Sequence, residues 1–194
     1  DLYSRVSTGN NEIYLDDLIR LPTDGTKATL PDGYNPAGIK VVRGEGTNYE
    51  LNLAKFLTVG QVIEFEENVG VGYVYVGRSF SSRYIPTRPF KYDENGIANT
   101  FDKIRINKYK LDVVNTNRVA MHIDSAYGST TDQTFVGRYA GQLGSTLGEV
   151  PFHTGDLKFS YSQSAEQALA EFYCDNHLGC TIAGISWEGQ HHKS

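Results

Sequence analysis

Along this chain apolar residues recur at every second position in short runs, and turn residues separate the runs. Ile39, Val41 and Arg43 alternate with Lys40 and Val42. Val62 to Phe65 follows a Val59-Gly60-Gln61 turn. Ile104 and Ile106 oppose Lys103, Arg105 and Asn107; Val119, Met121 and Ile123 oppose Ala120, His122 and Asp124; Leu157, Phe159 and Tyr161 oppose Lys158 and Ser160. Successive side chains of a strand point to opposite faces, so a period of two places one face of each run on a core. Val71, Tyr73 and Tyr75 alternate with Gly72, Val74 and Val76, and both sets are apolar or aromatic, as in a central strand covered on both faces. Helix-period stretches are scarce. The pattern predicts an all-β chain of sandwich- or barrel-like antiparallel sheets, with long loops and little helix.

Turn chemistry divides the runs. Asp24-Gly25, Asp32-Gly33, Asn95-Gly96 and Gly128 supply positive φ. Asn115-Thr116-Asn117 reads as a hairpin connection. Pro86 and Pro89 keep Tyr84–Phe90 out of any interior strand, because proline lacks the ladder donor. That stretch reads as a long connection between a first β-unit, residues 1–85, and a second, residues 86–194, or within one continuous domain. Residues 165–173 are ambiguous. Ser164-Ala165-Glu166-Gln167 has the form of a capping box and good helix formers follow. Yet Ala168, Ala170 and Phe172 also alternate with Leu169, Glu171 and Tyr173.

Composition excludes several classes. The 194 residues are enough for a buried core, and 13 Tyr and 9 Phe argue against disorder. No run of about 18 apolar residues exists to span a membrane as a helix, so no membrane anchor is predicted. Two Cys cannot staple a fold of this size. The 23 acidic against 18 basic residues leave a net charge of −5, which does not suit a chain built to grip phosphates. The first residue is Asp, not Met, which reads as a fragment or processed product.

Reactive constellations are sparse. Cys174-Asp175-Asn176-His177-Leu178-Gly179-Cys180 places thiols and an imidazole close together, with His191-His192 beyond. Cys174, His177 and Cys180 are candidate zinc ligands by residue type, although the spacing matches no standard site. A Cys174–Cys180 disulfide across the turn is a second reading. The third is a hairpin whose cysteines are small core residues and whose His faces solvent. No Gly-x-Ser-x-Gly elbow occurs, and His122, His153 and His177 read as ordinary histidines. Glu64, Glu66 and Glu67 could imitate a glycosidase pair but also suit a solvated strand edge. The glycines at 137, 141, 144 and 148 lack the Lys-Ser/Thr of a phosphate loop. Lys103, Arg105, Lys108 and Lys110 form the one basic stretch, which reads as a solvated strand or a salt-bridged face between subunits.

The collinear order of several short segments carries more. Val76-Gly77-Arg78-Ser79-Phe80-Ser81-Ser82 is followed by the runs Ile104–Ile106, Val113–Thr116 and Val119–Ile123. Gly137-Arg138 comes next, then Thr154-Gly155-Asp156-Leu157-Lys158-Phe159. His177-Leu178-Gly179-Cys180 leads into Trp187-Glu188-Gly189-Gln190-His191-His192. Over roughly residues 70–192 this resembles the C-terminal region of the tail nozzle proteins (tail tubular protein B) of short-tailed bacteriophages. Gly179 departs from the family, which usually has Pro there. The chain is also much shorter than family members.

The resemblance implies a virion structural protein of the tail, assembled in the host cytoplasm, with neither catalytic residues nor cofactor. It implies a homo-oligomeric, hexameric ring around a channel for genome DNA, joined to an adaptor ring and to tail fibres. It favours a strand over residues 168–174 and a plain turn at the Cys-His cluster. Aromatics suit such subunit contacts because they cover area at low entropy cost. The interface candidates are Trp187, Glu188, Tyr84, Arg88 and Tyr139, with the loops Tyr84–Asp93 and Ser125–Glu149. The alternatives are a carbohydrate-binding or glycan-degrading tailspike-type domain, since Tyr, Asn and Asp on a β-scaffold suit sugars, and a small zinc enzyme.

Overall fold

The computed structural model describes residues 4–8, 11–43, 54–89, 91–92, 94–99, 103–128, 130–137 and 152–192. Among these there is no helix, and every named strand pairing is antiparallel. The chain is all-β, as the period-two runs require. It forms two compact units. The first gathers the described residues of Asp1–Ser81 together with Asp175–Gly179; the second gathers those of Ser82–Tyr139, Phe152–Cys174 and Cys180–Ser194.

The first unit is one sheet of β1 (Ser4–Thr8), β2 (Asn11–Thr23), β3 (Lys27–Thr29), β4 (Ile39–Arg43), β5 (Phe56–Val59), β6 (Val62–Phe65) and β7 (Gly72–Arg78). Its order is β4-β7-β2-β3-β6-β5, with β1 also on β2. Leu21, Val41, Ile63, Val74 and Val76 are buried in its core. β7 is interior, and Tyr75 on its other face is buried too, so the doubly apolar pattern reported a central strand. At the β2–β3 turn Gly25 takes φ +97°. The Asp24 carboxylate there accepts from the Thr26 and Lys27 amides at 2.7 and 2.8 Å. Those bonds hold its carboxyl below the usual range.

β2 escapes a pattern reading because it is bulged. Its register on β7 shifts between Asp16 and Ile19, and Asp17 adopts φ +51°. Gly77 stands against this bulge. A Cβ there would lie 2.7 Å from Leu15 Cβ and 2.8 Å from the Asp16 carbonyl oxygen. Arg78 then pairs with the Asp17 carboxylate and donates to the Asn35 carbonyl at 2.9 Å.

The second unit comprises β8 (Ser82–Tyr84), β9 (Lys91–Tyr92), β10 (Ala98–Asn99), β11 (Lys103–Thr116), β12 (Arg118–Ser125), β13 (Thr130–Val136), β14 (His153–Ser164), β15 (Ala168–Cys174) and β16 (Thr181–His192). β9 and β10 form a small hairpin about Asn95-Gly96. The rest make a three-stranded sheet, β14-β11-β16, and a four-stranded sheet, β13-β12-β15-β8. Both supply one core: Ile106, Tyr109, Leu111 and Phe159 from one side, Met121, Ile123, Phe135 and Phe172 from the other. At its centre the Tyr109 ring meets Tyr161 and Phe172 edge-on, with centroids 5.2 and 5.5 Å apart. Burial pushes the Tyr161 phenol up to about 12, and it donates to the Ala168 carbonyl at 2.6 Å.

Three local expectations change. Asn115–Asn117 is not a hairpin: β11 and β12 lie in different sheets, and the chain crosses between them with Asn115 at φ +46° and Thr116 buried. The Thr116 hydroxyl holds this corner by accepting from the Thr181 amide at 3.0 Å. The capping-box segment makes only a turn, with the Gln167 amide on the Ser164 carbonyl at 3.1 Å, and opens into β15, as the family resemblance had it. Burial of Ala168, Ala170 and Phe172 outweighs the local helix preference. Within Ser125–Glu149, Thr130–Val136 is a strand rather than loop; its solvated edge position needs only Phe135 inward, so its sequence is nearly all polar.

Gly189 meets a second bulge. The β11–β16 register shifts between Ile106 and Lys108 opposite Gly189 and Glu188. A Cβ on Gly189 would overlap the Arg105 carbonyl and lie 3.0 Å from Ile106 Cα, whereas at Gly184 the nearest atom is 3.7 Å away. Gly189→Ala is therefore expected to cost about 1–3 kcal/mol, an overpacking loss, and Gly184→Ala far less, as read by urea midpoints. Phe172, 1% exposed, is among the largest wholly buried side chains. Phe172→Ala should cost about 3–5 kcal/mol in the same measurement.

Candidate interaction surface

The two sheets of the second unit are fastened along one side and open along the other. On the fastened side the edge strands β13 and β14 meet. The Gln133 amide donates to the Ser160 carbonyl at 2.5 Å and accepts from the Ser160 amide at 3.0 Å, imitating a strand's pair of bonds. Phe135 and His153 add a ring contact with centroids 5.3 Å apart. On the open side the edge strands are β8, only three residues long, and β16, which spans twelve. β8 is too short to cover β16.

Apolar side chains consequently emerge at this rim. Tyr84 is 47%, Ile85 54% and Trp187 42% exposed. Trp187 pairs in register with core Tyr109, so it belongs to the inward row of β16 that also holds Ile182 and Ile185. Tyr84 stands close enough to Tyr109 to help hold its phenol up, behind the larger effect of burial. Between the strands is a cavity of about 210 Å³ lined by Tyr84, Val119, Phe172, Cys174, Cys180 and Ile182.

The other named candidates lie elsewhere on this unit. Glu188 faces outward, where its carboxylate pairs with Lys108 at 2.7 Å. That bond holds the carboxyl below its usual range. Lys110 pairs with Asp156 at 2.6 Å, which raises its ammonium pKa. The basic stretch is thus the outer face of β11, alternating with buried Ile104 and Ile106 and partly neutralised by its neighbours. Both pairs are largely in water and stabilise little. Arg88 is exposed and borders a cavity of about 200 Å³ with Asp124, Ser125, Glu166, Gln167 and Leu169. Tyr139 and residues 138–149 of the Ser125–Glu149 loop lie outside the described residues.

Among the described residues chemistry-bearing groups do not converge. Cys174 is buried and Cys180 half-buried. The neighbouring Cys174 thiol together with burial raises the pKa of Cys180. His177 does not face solvent: it is buried, because the segment around it pairs with β2 of the first unit, its carbonyl accepting from the Tyr14 amide at 2.8 Å. Among the described residues no three His, Cys, Asp or Glu side chains gather as metal ligands. His122 Nδ1 lies 2.7 Å from Asp132, but as cross-strand neighbours on the outward face of β12 and β13. Glu64 is ion-paired with Lys27 at 2.9 Å. Ile85 falls within the loop Tyr84–Asp93 that the sequence offers as interface material, while the Gln133 clasp is missed and has no sequence signal.

None of the curated proteins compared with the chain matches it. The family model of the bacteriophage nozzle protein does match, over residues 11–194. The chain, all-β throughout its described residues, therefore belongs to the bacteriophage nozzle protein family, whose members are structural proteins of the phage tail.

Proposed function

We propose that this chain is the part of a tail nozzle subunit that packs side by side with its neighbours in a hexameric ring. The ring surrounds a channel through which genome DNA leaves the virion, and it docks to the adaptor ring and tail fibres. The subunit is assembled in the host cytoplasm and performs no covalent chemistry. The observation that carries this reading is the family match across nearly the whole chain. The open rim at Tyr84, Ile85 and Trp187 supports it, because a closed ring needs two different patches per subunit and apolar anchors at one of them. The net charge of −5 suits a wall past which phosphates slide.

Electron microscopy of the full-length nozzle protein is the direct test. Rings with a central channel are expected; a monomer with a sugar held in a cleft would overturn the reading. Trp187→Ala and Tyr84→Ala together should lower the melting temperature by some degrees, since each side chain still buries about half its surface, but should leave the chain folded. Ring association should weaken by roughly 30-fold, as for loss of a ~2 kcal/mol anchor. Sedimentation measures it.

A further inference from the structure

We propose that β5 of one copy of this chain adds to the outer edge of β16 in a neighbouring copy, so that two sheets continue through the contact. The proposal rests on the side-by-side packing read above and names the strands that meet. β5 ends the sheet of the first unit, and β16 ends the three-stranded sheet of the second. Among the described residues each is laddered on one side only, β5 to β6 and β16 to β11. Such an edge is a template for a further strand. At β4, the opposite end of the first sheet, the Val41 carbonyl already accepts from the Ala54 amide at 2.8 Å.

The backbone of β5 suits this addition. A two-residue turn, Gly60-Gln61, joins it to β6, and opposed residues of such a pair alternate between bonded and unbonded. The Glu66 amide donates to the Lys55 carbonyl at 3.0 Å, whereas the Phe65 amide turns away from Phe56 to the Thr26 carbonyl at 2.9 Å. Phe56, and Thr58 two residues on, therefore aim their own amides and carbonyls at the outer side of β5. Leu57 and Val59 occupy the opposite face of the strand from Phe56 and Thr58, and are 65% and 64% exposed. Placed beside β16, that row lies level with Ile182, Ile185 and Trp187. It closes over the cavity of about 210 Å³ between β16 and β8, which has room for an aliphatic side chain. Tyr84 and Ile85 supply the rest of an apolar seat.

Charge selects this occupant over a second β16. Residues 55–67, which hold the β5–β6 hairpin, carry three glutamates against the single Lys55, and Glu66 and Glu67 are exposed. Strands β11, β14 and β16 together carry five lysines and arginines against three acidic residues. The hairpin and the sheet it joins thus attract, whereas two β16 edges meeting each other would bring two basic sheets together. The two surfaces differ, so the contact is head to tail, the kind from which rings are built.

The test puts benzoylphenylalanine, itself apolar, in place of Val59 in the full-length nozzle protein. That protein is mixed with unsubstituted, heavy-isotope-labelled protein and irradiated. Mass spectrometry is expected to find the light peptide containing position 59 joined to heavy peptides from β8 or β16. Products within one chain only, or joined to heavy peptides elsewhere, would overturn the pairing. Thr58→Pro removes an amide that β6 does not use, and Leu57→Lys charges the exposed row. Each should leave the urea midpoint nearly unchanged and weaken association, read by sedimentation, at least about tenfold. Unchanged association in both would also overturn the pairing. Rings seen by electron microscopy without the cross-link would remove the strand pairing and leave the ring standing. The cross-link in a protein that forms filaments instead would keep the pairing and remove the ring.

Discussion

Close backbone approach at bulged strands is the constraint on which both units rest. Where a strand carries an extra residue, its ladder kinks and its backbone presses toward the partner. Gly77 faces the bulge of β2 at Asp16–Ile19, and Gly189 faces the bulge of β11 at Ile106–Lys108. Gly155, at φ +134°, pairs with Val113 where the other end of β11 slips register on β14. These are the glycines of the Val-Gly-Arg, Trp-Glu-Gly and Thr-Gly segments. The short motifs that make the sequence resemble nozzle proteins are thus marks of where the ladders bend. A side chain at Gly77 or Gly189 would push two strands apart and disturb every register beyond it.

This explains what could be read in advance. Leu157–Tyr161 alternates without a break because one face is simply core, and in Ile39–Arg43 and Val62–Phe65 the inward residues Ile39 and Val41, and Ile63 and Phe65, still stand two apart. β2 was not legible, since Asp16-Asp17 inserts charge and an extra residue where a pattern reader looks for a repeat. β13 was hidden for the opposite reason: on a solvated edge, one inward phenylalanine suffices. At Asn115–Asn117 the turn residues were correctly seen, but whether a turn returns to the same sheet or crosses to another depends on what the next strand packs against. Sequence spacing does not contain that.

The candidate interaction surface is legible only in part. Trp187 and Tyr84 announce themselves as large aromatics, yet their half-exposed state follows from β8 being three residues long opposite a twelve-residue β16. Only the assembled pair of sheets reveals that mismatch. The cysteines show the same dependence. Their spacing admitted metal binding, a disulfide or inert packing, and only the fold shows both of them lining one cavity while the His177 carbonyl pairs with the Tyr14 amide.

The fourteen-residue β11 has a mechanical consequence. It is laced to β14 on one flank and to β16 on the other, antiparallel along most of its length. Tension applied along that strand loads the rungs of both ladders at once, in shear, instead of unzipping them singly. Such a girder resists stretch along its axis far better than peeling across it.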